Sequence, residues 1–199
     1  MYKLTCTLLN NWLYATDPDA SETAYIRFLN ALERKREPAS KAMQAGIAFE
    51  TMVTNYAMDT AQLLPEDKAA MRAVIQFGNR CRGGAWQVWA EKPVQIAGKE
   101  LLLVGVADCL KQGILYDLKR VQRYEYGKYQ HSAQHPMYME LFPEAIRFDY
   151  LIFDGAYCYR EQYRRGDFEP IHNIGKRFLH YLEDAGLMEI YQKHWEVLE

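Results

Sequence analysis

Between Gly105 and Arg120 the chain reads GVADCLKQGILYDLKR. Two apolar runs carry two acids, Asp108 and Asp117, and one lysine, Lys119. A Gln112-Gly113 turn folds the runs into a hairpin with Lys111 opposite Ile114. Counting outward, Asp108 then faces Asp117. Asp117 and Lys119 are two residues apart, so their side chains leave the same face of the strand. The three groups are therefore expected on one patch. Directly opposed like charges destabilise a strand pair. Either Lys119 balances them in an ion pair, or a divalent cation with a preference for hard oxygen ligands does so. Leu101 to Ala107 and Ile114 to Tyr116 are otherwise apolar, and acids inside such runs call for a partner or a function.

Around the hairpin the sequence supplies positioning elements. Helices are expected through ETAYIRFLNALERKRE, with Tyr25, Phe28, Leu29 and Leu32 on one face, and through SKAMQAGIAFETMVTNYAM, capped by Ser40. The apolar positions of the second include Met43, Ile47, Val53 and Ala57. A third helix is expected in PEDKAAMRAVIQFGNRC, with Pro65 in its first turn. WQVWAEKPVQI reads as a strand weakened at Pro93, and ELLLVGVADCL and ILYDLKRV as two more. A helix capped by Ser132 is expected in SAQHPMYMELF, where Pro136 is tolerated because the first amides lack intrahelical partners. IRFDYLIFDG and AYCYREQYRR form a strand pair about Asp154-Gly155. Two amphipathic helices broken near Gly186 close the chain. Three antiparallel strands and a crossover helix predict an α/β fold: a mixed β-sheet flanked by helices, with N- and C-terminal helical additions.

At this length, 199 residues, one domain with a full core is expected. The net charge of -2 excludes a uniformly basic nucleic-acid binder. No apolar run nears the ~20 residues a membrane helix needs. The opening MYKLTCTLLNNWLYA lacks the order of a secretory signal, so a cytoplasmic location without membrane attachment is expected. Cys6, Cys81, Cys109 and Cys158 are scattered singly, which argues for free thiols and against an iron–sulfur cluster.

Taken in order, GIAFE (Gly46–Glu50), GVAD ending at Asp108, YDLK (Tyr116–Lys119) and SAQHPMY (Ser132–Tyr138) resemble the active-site core of the PD-(D/E)XK nuclease superfamily, especially its RecB-like and phage exonuclease branches. Ala107 stands where the family name has proline. The resemblance covers somewhat over half the chain and implies a restriction-endonuclease-like core over about residues 40–165. It implies that Asp108 and Asp117 bind Mg²⁺ or Mn²⁺, with the Leu118 carbonyl as a further ligand and Glu50 completing the site directly or through water. It assigns Lys119 to orienting or activating the attacking water and neutralising phosphorane charge. Gln134 and Tyr138, four apart on one helix face, would lie near the metal site and the DNA.

Arg120, Arg123 and Lys128, interleaved with Tyr124, Tyr126 and Tyr129, are candidate contacts for a phosphate backbone and stacked bases. Arg160, Arg164 and Arg165 read as a solvated group. His131 and His135 have zinc-compatible spacing, but no third ligand is evident and the pair fails if the helix starts at Ser132. The expectation is a metal-dependent deoxyribonuclease, exonuclease-like, acting in recombination, repair or phage DNA processing beside a helicase or recombination partner. A catalytically silent nuclease-fold module that binds DNA or assembles is the alternative, and a structural ion pair on the hairpin is a third reading.

Overall fold

A computed structural model of the chain describes residues 1–60 and 64–197. The elements follow in the order β1 (Tyr2–Thr5), α1 (Cys6–Ala15), α2 (Glu22–Leu32), α3 (Lys41–Ala57), α4 (Lys68–Cys81), β2 (Ala85–Ile96), β3 (Lys99–Lys111), β4 (Ile114–Arg120), α5 (Gln134–Leu141), β5 (Arg147–Phe153), β6 (Cys158–Arg164), α6 (Ile171–Asp184) and α7 (Met188–Trp195). The mixed α/β fold expected from the sequence is present: one six-stranded mixed sheet with helices on both faces. β2, β3 and β4 are antiparallel, and α5 carries the chain across to β5, which lies parallel to β4.

The larger core lies on one sheet face. There Leu101, Leu103, Leu115, Phe148, Tyr150 and Ile152 meet helices α1, α2, α5, α6 and α7. Trp12 and Phe178 anchor those helices edge to face, with centroids 5.5 Å apart. On the other face α3 and α4 bring Phe49, Val53, Val74 and Phe77 onto Tyr116, Leu118, Leu151 and Phe153. β5 is buried on both faces, which explains its almost continuous apolar run.

Several expectations require correction. The N-terminus is more than a helical addition, because β1 joins the sheet parallel to β3 over Leu101–Val104. α4 starts three residues after Pro65, and Asp67 is its cap, accepting from the Ala70 amide at 2.7 Å. Met43 and Ile47 are 58% and 56% exposed, so the N-terminal half of α3 has no core to face. α5 starts at Gln134, later than Ser132. Its first turn is held from a distance, with Asn10 Oδ1 accepting from the Ala133 amide at 2.8 Å. Ser40 does cap α3, accepting from the Met43 amide at 3.2 Å. Pro93 sits within β2, where it is tolerated because β2 pairs with β3 alone. The C-terminal helices break near Gly186 as expected, and Leu198 at the end of that stretch lies outside the described residues. None of the helices is long and apolar enough to cross a membrane, among the described residues.

Candidate active site

The site forms where β3 and β4 part. Gln112 and Gly113 both have positive φ, 50° and 74°, giving the tight turn that fixes the hairpin register. The ladder pairs Lys111 with Ile114, Leu110 with Leu115 and Cys109 with Tyr116, and then stops. Asp108 and Asp117 are the next opposed positions. In place of a ladder bond, Asp108 Oδ2 accepts from the Leu118 amide at 2.9 Å.

One long edge of β3 is shared: β1 takes Leu101–Val104 and β4 takes Cys109–Lys111. Between them Tyr138 fills the vacant edge. Its hydroxyl donates to the Val106 carbonyl at 2.8 Å and accepts from the Val106 amide at 3.2 Å. Gly105 makes this approach possible, since a Cβ there would stand 3.0 Å from Leu141 and 3.2 Å from the Tyr138 ring. Expected at the DNA, Tyr138 is instead buried and committed to the backbone. Tyr138→Phe should destabilise the fold by about 1–3 kcal/mol, because both Val106 groups lose their partner. Thermal unfolding of the two proteins measures it.

One turn earlier on α5, the Gln134 amide donates to Asp117 Oδ1. Asp117 is only 4% exposed. Its other oxygen is ion-paired with Lys119 Nζ at 2.7 Å. Lys119 also lies over the Tyr150 ring, 6.0 Å from the centroid. Glu50, on α3 over the other sheet face, lies near enough for its charge to act on Asp108 and that of Asp117 on it, and its Oε1 accepts from Gln87 Nε2 at 2.8 Å.

Electrostatics bind the group together. Burial, then the charges of Asp117 and Glu50, push the Asp108 carboxyl well above the ordinary carboxylate range. Burial and Asp117 raise Glu50 as well. Burial works against the charge of Lys119, but the Asp117 carboxylate outweighs it and holds the lysine above its ordinary value. Ionising all three carboxylates beside one ammonium would leave the patch with excess negative charge, so Asp108 and Glu50 hold their protons more tightly than usual.

These donors fit a hard divalent cation. Asp117 is buried with Lys119 as the cation beside it, and burial and neighbouring carboxylates make Asp108 resist ionisation, a cost that a bound cation would offset. Among the described residues, no three acidic, histidine or cysteine side chains converge into a ready cage. Mg²⁺ and Mn²⁺ do not demand one, since one or two carboxylates with water and substrate oxygens suffice.

The remaining candidates lie elsewhere. Arg120, Arg123 and Lys128 are exposed on and beyond the end of β4. Arg123 pairs with Glu125 at 3.0 Å, and Tyr126 is 92% exposed beside them. Tyr129 is buried against Tyr150 with stacked centroids 4.5 Å apart. Tyr124 donates to the buried Glu161 at 2.8 Å, so neither ring is free to stack on bases. Arg160, Arg164 and Arg165 are exposed, as expected of a solvated group, and the Arg165 guanidinium also donates to the carbonyls of Met139, Phe142 and Pro143 at the end of α5. His131 lies outside α5, as anticipated for a failed zinc pair. His135 is fully buried, bonded to Tyr150 at 3.1 Å, and burial lowers its pKa to about 3.

Two neighbours of the acids were not singled out from the sequence. Cys6, at the start of α1, lies against Tyr138 within reach of the Lys119 and Asp117 charges, and burial raises its thiol. Gln87 is the other. Neither belongs to a local pattern, and only long-range packing brings them here.

No family model matches the chain, and no curated protein matches it significantly. A solved structure described as "Crystal structure of SSO0001" is similar, with a TM-score of 0.52 at 12% identity over 91% of this chain and 76% of that one. The likeness is one of fold.

Proposed function

We propose that the chain is a divalent-cation-dependent nuclease that hydrolyses phosphodiester bonds in DNA, of the RecB-like and phage exonuclease-like type within the PD-(D/E)XK superfamily. The observation that carries the reading is the opposition of Asp108 and Asp117 where the β3–β4 ladder stops, with Asp117 buried and held 2.7 Å from Lys119 Nζ.

Asp108 and Asp117 would hold Mg²⁺ or Mn²⁺ with the Leu118 carbonyl, and Glu50 would complete the site directly or through water. A cation bound there lowers the pKa of water and offsets negative charge on the phosphate. Gln134 fixes one oxygen of Asp117, so the other faces the site. Lys119, held charged by Asp117, acts as a donor: its ammonium orients the attacking water or a phosphate oxygen and stabilises charge as the bond to the leaving oxygen breaks. The products are a phosphate monoester and a free hydroxyl. Arg120, Arg123 and Lys128 supply backbone contacts on the substrate side, and the exposed Tyr126 supplies a ring to an unpaired base. A helicase or recombination protein is the class of partner such an enzyme serves.

One observation favours the alternative of a silent binding module: the described residues make no complete three-ligand cage. Cleavage separates the readings. End-labelled single- and double-stranded DNA is incubated with Mg²⁺ or Mn²⁺, beside EDTA and Asp117→Asn. Metal-dependent products absent from the variant are expected, and their lengths report whether cutting starts at ends. Salt-sensitive DNA binding without products, from a folded protein that binds Mn²⁺, would establish the silent module.

A further inference from the structure

Gln87 stands out by its backbone. Five described non-glycine residues have positive φ, and four of them, Arg34, Asp59, Ala97 and Gln112, lie at turns. Gln87 has φ 49° within β2, two residues after its start. The β2–β3 ladder pairs Trp86 with Cys109 and Val88 with Ala107, omitting the Gln87–Asp108 position between them. The strained residue is thus directly across the sheet from Asp108, and its side chain donates to Glu50 Oε1 at 2.8 Å. An L-residue occupies the left-handed region at a cost, and such strain persists where the surroundings impose it. Nothing in β2 itself requires it, and glycine would relieve it.

We propose that Gln87 is a positioning residue. Its left-handed backbone aims the side-chain amide at Glu50, engages one carboxylate oxygen, and leaves the other to face a divalent cation held by Asp108 and Asp117. The role rests on reading those acids as a cation site. A carboxylate held on one side by an amide keeps a single orientation, which is how hydrogen bonds behind metal ligands raise affinity.

Mn²⁺ binding to the full chain, followed by the loss of the free-ion EPR signal, tests the proposal together with thermal unfolding in EDTA. Gln87→Gly relieves the backbone and removes the amide. Gln87→Met keeps the length and the strain while removing the donor. In EDTA Gln87→Gly should unfold no earlier than the wild type, yet both variants should bind Mn²⁺ about tenfold more weakly. In a Glu50→Ala background the same substitutions should change Mn²⁺ affinity no further, because Gln87 acts through Glu50. Folded variants with wild-type affinity, or an equal loss in the Glu50→Ala background, would overturn the role of Gln87. A wild type that binds no Mn²⁺ would overturn the cation site and the role of Gln87 with it, which distinguishes the two failures.

Discussion

Lys119→Ala is expected to lower metal-dependent cleavage by about 100- to 10,000-fold, the span typical of removing a positioned charge or proton donor from a transition state. Mn²⁺ binding should survive, since the carboxylates remain. Stability should respond in a cation-dependent way. Without divalent ions Asp117 loses its ammonium at 2.7 Å and the variant should unfold earlier than the wild type. With Mn²⁺ the gap should narrow, because without the competing ammonium the carboxylates bind the cation more tightly and the variant gains more from it. A purely structural ion pair makes the opposite prediction: the deficit of Lys119→Ala would be the same with and without Mn²⁺. Single-turnover cleavage and paired melting curves give both answers from one variant.

Asp108→Asn carries the second large effect, with opposite signs on stability and function. Asp108 is pressed by burial and by the charges of Asp117 and Glu50. Replacing the titrating carboxyl with a neutral amide should stabilise the cation-free protein at neutral pH by about 1–2 kcal/mol, the scale on which relief of functional strain is felt. Cleavage should fall to background, and the Mn²⁺ shift in melting temperature should vanish. The pH dependence follows from linkage. The folded-state pKa lies above the unfolded one, so the folded chain holds the proton more tightly. The stabilising effect is complete below the unfolded carboxylate range and fades as pH rises through the raised folded value. In EDTA the wild type should therefore lose stability across that interval while Asp108→Asn loses less. Mn²⁺ should reverse the trend, because its ligands must be deprotonated to bind. A wild type whose stability in EDTA climbs steadily over the interval would contradict the crowded-acid account.

Which parts could be foreseen follows from how local each signal is. The opposition of Asp108 and Asp117 needed only the Gln112-Gly113 turn and a count outward, and the ladder runs as far as Cys109–Tyr116 in that register. The spacing of Gln134 and Tyr138 placed both on one face of α5, and both turn inward. Their division of labour was not legible, because it depends on a gap in the β3 edge that β1 creates. β1 itself is four residues running straight into α1, too short to show alternation. Met43 and Ile47 keep the helical spacing of a core face but have no partner in the fold. The cap from Asn10 and the Gln87–Glu50 bond join residues 123 and 37 positions apart, contacts that no window of sequence contains.

The claim on which all of this turns is that the splayed end of the β3–β4 hairpin is a divalent-cation site. Crystals grown or soaked with Mn²⁺ and measured at the manganese absorption edge test it most directly. An anomalous peak is expected bonded to Asp108 and Asp117, with the Leu118 carbonyl turned to it and one Glu50 oxygen facing it directly or through water. A map without such a peak, in a protein that keeps the Lys119–Asp117 ion pair at saturating Mn²⁺, would contradict it.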